Sequence, residues 1–176
     1  MKENLRFKYL YKDYFDWKEL EFLRQIRSHQ DIQCQVFHEK KITKIEQEHW
    51  FYDTYCKDEE YTIYLVYSES RECIVSYVTL HHNILNNRLQ FDYFVSPEFS
   101  FINYDDQIMK WIINKSILEE VHKLWSYILI DNTNKIKIFT KHGLKFEFCI
   151  KDFILKNGKY INVNVMSLIN LISIKK

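Results

Sequence analysis

Glycine occurs only twice in these 176 residues, at Gly143 and Gly158, and proline once, at Pro97. An ordinary domain carries roughly 7% glycine and 5% proline. Glycine-rich phosphate loops of the dinucleotide-binding and P-loop kinds cannot be written with so little glycine, so those two nucleotide-binding classes are excluded. Long apolar runs are also missing. None approaches the ~20 residues that span a bilayer, and residues 1–20 mix Lys, Arg, Asp and Glu with aromatics, so neither a membrane partner nor a secretory signal is expected. A cytoplasmic location follows as an expectation. Charge of one sign is lacking too. A formal net charge of +1 gives no general pull toward nucleic acid.

Cys34, Cys56, Cys73 and Cys149 are scattered, with no C-x-x-C pair and no Cys/His run at zinc-ligand spacing. Reduced, partly buried thiols and no metal site are expected. His81 and His82 are adjacent, but neighbours on a strand point to opposite faces and do not share one site. The cysteines sit in no hydrolase signature. Adjacent carboxylates such as Glu59–Glu60, Asp105–Asp106 and Glu119–Glu120 read on helices as solvated surface rather than as acid/base pairs.

What is abundant is apolar and aromatic surface, 47% and 17% of the residues. That composition and length predict one compact domain over 1–176. Alternation predicts a strand over 5–11, and Trp17, Leu20, Leu23, Arg24 and Ile26 then follow helical spacing. Thr43-Lys-Ile-Glu46 is a capping box, which predicts a helix over about 44–56. Three antiparallel strands follow, at 61–68, 72–81 and 88–95. Pro97 ends the third, and Ile108, Trp111, Ile112, Leu118 and Val121 mark a helix over about 104–122. Leu124 to Ile130 is an apolar run of strand length, expected centrally beside 88–95. Asn132 can cap a helix carrying Ile136, Ile138 and Phe139, with Gly143 at its left-handed end. Phe146, Phe148 and Ile150 alternate, Asn157-Gly158 is a hairpin signal, and Ile161, Val163 and Val165 alternate again. The order is that of an α/β protein with a mixed sheet.

The C-terminal third resembles the GNAT superfamily of N-acetyltransferases, whose members often read Asn-x-x-Ala-Ile-x-Leu-Tyr-Glu-Lys-x-Gly-Phe before a strand. Asn132, Ile136, Ile138, Lys141, Gly143 and Leu144 fall in step with that pattern. The hairpin 151–166 and the stretches 23–27 and 45–51 resemble the branch containing ribosomal-protein and nucleotide-amino-sugar N-acetyltransferases. The resemblance implies a single-domain GNAT-like fold with helices on both faces of a mixed, mostly antiparallel sheet, splayed between the Arg88–Val95 and Leu124–Ile130 strands. It implies acetyl-CoA as co-substrate and a small amine acceptor, with backbone N–H groups near Phe94 and Val95 serving the pantetheine and the thioester carbonyl. A homodimer is a further expectation.

By the same resemblance, Ser100, Phe101, Ile102, Asn103, Tyr104 and Asp105 match the segment that holds the pyrophosphate at a helix start. No glycine stands there, and Asp105 with Asp106 brings negative charge, which an ordinary acid-rich helix start explains equally well. Phe139 stands where many members place a tyrosine that protonates the departing thiolate, and a phenyl ring donates no proton. Asn132 is assigned to the pantetheine or an ordered water, or else is a plain N-cap. General-base candidates are Asp92 and Tyr127, with His81 and His82 outside them. Two readings follow. One is acetyl transfer to a primary amine, of a nucleotide-linked amino sugar before a protein N-terminus. The other is a GNAT-like module without catalysis that binds a partner through aromatics such as Tyr52, Tyr55 and Tyr61.

Overall fold

The computed structural model describes residues 3–35 and 40–170. Its elements run β1 (Leu5–Tyr9), α1 (Trp17–Ser28), α2 (Gln30–Gln33), α3 (Lys44–Trp50), a π-helical turn (Phe51–Tyr55), β2 (Tyr61–Ser68), β3 (Cys73–Asn83) and β4 (Arg88–Val95). A 3-10 turn (Pro97–Phe99), α4 (Asp105–Leu118), β5 (Lys123–Leu129), α5 (Thr133–Lys141), β6 (Lys145–Lys156) and β7 (Lys159–Ile169) complete them. The strands form one mixed seven-stranded sheet in the order β1-β2-β3-β4-β5-β7-β6. β5 lies beside β4, as expected of the apolar run at 124–130, and the two strands pair in parallel. Two compact units share the chain: Met1–His81 with Tyr93–Ile102, and His82–Asp92 with Asn103–Lys176.

In the first unit, α1 turns Leu20, Leu23 and Ile26 into a core with Phe51, Tyr55, Ile63, Leu65, Tyr77 and Phe94. Two capping boxes fix its helix starts. Thr43 Oγ1 accepts from the Glu46 N–H at 3.2 Å while Glu46 accepts from the Thr43 N–H at 2.7 Å. Asp16 and Glu19 do the same for α1, a pair that stands openly in the sequence. The helix expected over 44–56 is α-helical only to Trp50. It then widens, with the Cys56 N–H bonding the Phe51 carbonyl at 2.8 Å, five residues back. The wide turn keeps the rings of both Phe51 and Tyr55 in the core while the Tyr55 hydroxyl donates to the Leu10 carbonyl at 2.6 Å. Tyr55, expected among exposed aromatics, is thus fully buried at 0% exposure; Tyr52 is the exposed ring, at 50%.

In the second unit, α4 buries Ile108, Met109 and Ile112. It stops at Leu118 rather than about 122, because Glu120 turns left-handed and its carbonyl accepts from the Asn87 side chain at 2.9 Å. Gly143 ends α5 with φ +88°, and the Leu144 N–H reaches back to the Phe139 carbonyl at 3.0 Å and the Gly143 N–H to the Thr140 carbonyl at 3.0 Å. That double closure needs a left-handed residue, which glycine supplies. Asn157 and Gly158, at φ 49° and 70°, form the tight turn of the β6–β7 hairpin.

Candidate functional site

The parallel ladder between β4 and β5 covers three residue pairs, from Arg88 opposite Lys123 to Gln90 opposite Trp125. Phe91 and Asp92 are the next residues of β4, and their side chains leave opposite faces of the strand. Helix α5 meets both. The ring of Phe139 packs against that of Phe91 at 5.1 Å between centroids, and Lys135 Nζ lies 2.5 Å from Asp92 Oδ1. Both contacts lie just past Gln90, the last β4 residue paired with β5. Lys135 and Phe139 are one turn apart on α5 and share a face, and Nζ is 5.9 Å from the Phe139 ring centroid.

The capping role expected of Asn132 is seen directly. Its side-chain oxygen accepts from the Lys135 N–H at 3.2 Å. The structure therefore gathers Asp92, Asn132 and Phe139 around Lys135, whose side chain is 10% exposed against 36% for Asp92. Sequence reasoning missed Lys135. The available signal was the motif itself, because Lys135 occupies the position at which the quoted GNAT pattern has a small alanine.

At the start of α4, no side chain caps the helix at Tyr104, which is buried; Asp105 is half-buried. Asp106 is engaged from α5: Lys141 Nζ lies 2.7 and 2.8 Å from its two oxygens and His142 Nε2 lies 2.9 Å away. The bond from Lys141, then that from His142, hold the Asp106 carboxyl below the usual carboxylate range. The second aspartate of the helix start is therefore charge-matched by residues 35 and 36 positions later in the chain.

The segment before this helix belongs to the first unit and is closed on itself. The N–H groups of Phe99, Ser100 and Ile102 donate to the carbonyls of Ser96, Pro97 and Phe99 at 2.8, 3.2 and 2.9 Å, and the Ser100 hydroxyl also donates to Pro97. Phe101 is 79% exposed. Asn103 is not among the described residues with positive φ, so the left-handed conformation that asparagine tolerates is not used there. Phe94 is buried against Tyr77, and its carbonyl accepts from the Ser76 hydroxyl at 2.9 Å, while Val95 is half-buried.

Of the remaining candidates, Tyr127 packs with Trp125 and Phe153, at 4.8 and 5.7 Å between ring centroids. His81 Nε2 lies 3.4 Å from Asp58 and 4.0 Å from Glu60. The first unit holds a cleft of about 540 Å³ between α1 and α3, bordered by Trp17, Glu21, Arg24, Lys44 and Gln47. There the Arg24 guanidinium, bonded to Glu21 at 2.6 and 2.8 Å, holds that carboxyl down at about 2. Among the described residues no three His, Cys, Asp or Glu side chains gather as a metal site, and no helix is long and apolar enough to cross a membrane.

No protein-family model matches the chain, and no curated protein sequence matches it. Solved structures do. The spermidine N-acetyltransferase of Vibrio cholerae in complex with CoA and spermine superposes with a TM-score of 0.83, at 17% identity over 94% of this chain and 95% of that one. A chimera of that enzyme with hSSAT gives 0.80 at 15% identity over the same shares, and a dodecameric form in an intermediate state gives 0.75 at 15% over 94% and 93%. At such identity the likeness speaks for architecture. The fold of this chain is the mixed-sheet α/β fold of the GNAT N-acetyltransferases.

Proposed function

We propose that this protein transfers an acetyl group from acetyl-CoA to a primary amine. The observation that carries the reading is end-to-end similarity to an enzyme whose structure contains CoA and spermine. The local geometry agrees with it. The β4–β5 ladder stops after Gln90, and Asn132, from the matching motif, caps α5 beside the gap. In this reading the backbone N–H groups near Phe94 and Val95 serve the pantetheine and thioester, and the helix start at Asp105 serves the pyrophosphate, with Lys141 as a cation nearby on α5.

Direct attack by an already neutral amine needs no strong base, because positioning supplies much of the acceleration. A nucleotide-linked amino sugar, expected from residues 23–51, gains no support from the structural neighbours. A polyamine does, and we place it first among acceptors. A self-associating protein is part of the proposal, since a neighbour is dodecameric and β6, an edge strand, exposes Phe146, Phe148 and Phe153. A second reading, a binding module without catalysis, draws on the self-bonded amides at Ser100 and Ile102 and on exposed Phe101.

The test is titration calorimetry with acetyl-CoA, followed by thiol release with spermidine, spermine, a nucleotide-linked amino sugar and a short peptide as acceptors. Binding and release with an amine support the enzyme. Absence of binding at millimolar acetyl-CoA leaves the module reading.

A further inference from the structure

We propose that Lys135 is the proton donor to the departing thiolate, doing with an ammonium what a tyrosine hydroxyl does at the Phe139 position of many GNAT enzymes. The inference rests on the acetyltransferase reading and adds a residue role to it. Three observations meet at one place. The position that would carry the hydroxyl is a phenylalanine whose ring is buried against Phe91. One turn earlier on the same helix face stands a lysine whose Nζ lies 5.9 Å from that ring's centroid. That nitrogen is held at 2.5 Å by Asp92, on the strand whose ladder to β5 has just ended.

The ion pair explains why a lysine is placed here at all. A side chain 10% exposed carries its charge only with a partner, and Asp92, itself 36% exposed, connects that partner to solvent. A lysine on the outer face of α5 would have needed neither.

The step balances without any further reagent. The amine nitrogen forms a bond to the thioester carbonyl carbon, and the carbonyl electron pair moves to oxygen. As the carbonyl re-forms, the C–S bond breaks and its pair stays on sulfur, which takes a proton from the Lys135 ammonium to leave as the free thiol. The proton surplus on the acetylated nitrogen passes to the Asp92–Lys135 pair, which returns to carboxylate and ammonium. One thioester and one amine become one amide and one thiol.

Arginine supplies the discriminating variant, because it keeps the charge and the partner but does not give up its proton. Steady-state rates of thiol release are compared for the wild type, Lys135→Arg, Lys135→Met, and Lys135→Met combined with Phe139→Tyr, with folding checked by circular dichroism. The expected result is a fall in kcat of roughly a hundredfold in both single variants, as removal of a general acid gives. The KM for acetyl-CoA stays within a few-fold, and the tyrosine restores most of kcat in the Met background. A merely structural lysine would be replaced well by arginine and not by a distant hydroxyl.

The proposal is overturned if Lys135→Arg turns over at the wild-type rate, or if Phe139→Tyr rescues nothing in a folded Lys135→Met protein. If Lys135→Met does not fold, the Arg variant alone decides. Failure of the underlying reading looks different: there the wild type itself neither binds acetyl-CoA nor releases thiol.

Discussion

Lys135 and Asp92 are 43 residues apart in sequence and 2.5 Å apart in space. Burial is unequal, so the cost of breaking the pair depends on which member is removed. Asp92→Asn leaves a nearly buried ammonium with a weaker acceptor and is expected to cost about 1–3 kcal/mol in urea unfolding. Removing both charges, with Lys135→Met added, is expected to cost less than the sum of the single changes, by about 0.5–3 kcal/mol. Additive losses would mean that the two charges do not support one another.

Acid should destabilise the protein over a defined window. The Glu21 carboxyl is held at about 2 by Arg24, and those of Asp106 and Glu147 are lowered by Lys141 and Lys123 respectively. Folded-state values lie below the unfolded ones, so this stability is fully present above the ordinary carboxylate range and is lost as pH falls toward about 2. The urea midpoint is expected to change little from about pH 7 to about pH 5 and then to drop steeply. Glu21→Gln should lower the midpoint at neutral pH and make the acid drop shallower. An equal drop in that variant would remove Glu21 from the account.

Asp105 sits with Asp106 in the first turn of α4. Its charge opposes an anion at that helix end, by about 0.3–1 kcal/mol at a partly exposed site. Asp105→Gly is therefore expected to tighten acetyl-CoA about two- to fivefold in calorimetry. An unchanged affinity would mean that the pyrophosphate does not approach this turn.

Gly143→Ala should cost about 1–2 kcal/mol of stability, read from chemical unfolding. The added methyl would meet Leu168 at 3.7 Å, an ordinary contact, so the cost comes from the backbone at φ +88°. Gly158→Ala, with open space around it and φ +70°, is the control and should cost about as much. A much larger loss at Gly143 alone would point to packing instead.

Local chemistry was the legible part of this fold. The Thr43–Glu46 capping box, the Asn132 cap, the Gly143 terminus and the Asn157–Gly158 turn are each written within four residues, and each stands where its spacing placed it. The Asp16–Glu19 box was equally written and went unread. The π turn at Phe51–Tyr55 was not legible, because apolar spacing does not distinguish a bond four residues back from one five back. Tyr55 illustrates the same limit, since its burial depends on the Leu10 carbonyl 45 positions away. At the candidate site, Asn132 and Phe139 were nameable from the motif, and Asp92 only from its place on the strand before the expected opening. Lys135 and Lys141 also stand within that motif, but their pairing with Asp92 and Asp106 is tertiary and local spacing does not show it.

The two glycines of this chain are both committed, one closing a helix and one closing a hairpin, each at a positive φ that holds it in place. Enzymes that close over their substrates need a few residues able to absorb large backbone rotations, and these are often small ones. Here no glycine is left for the segments around the candidate site. A ligand arriving there must be accommodated by rotamer changes of long side chains such as Lys135 and Lys141, so substrate binding should order ammonium groups more than it moves loops.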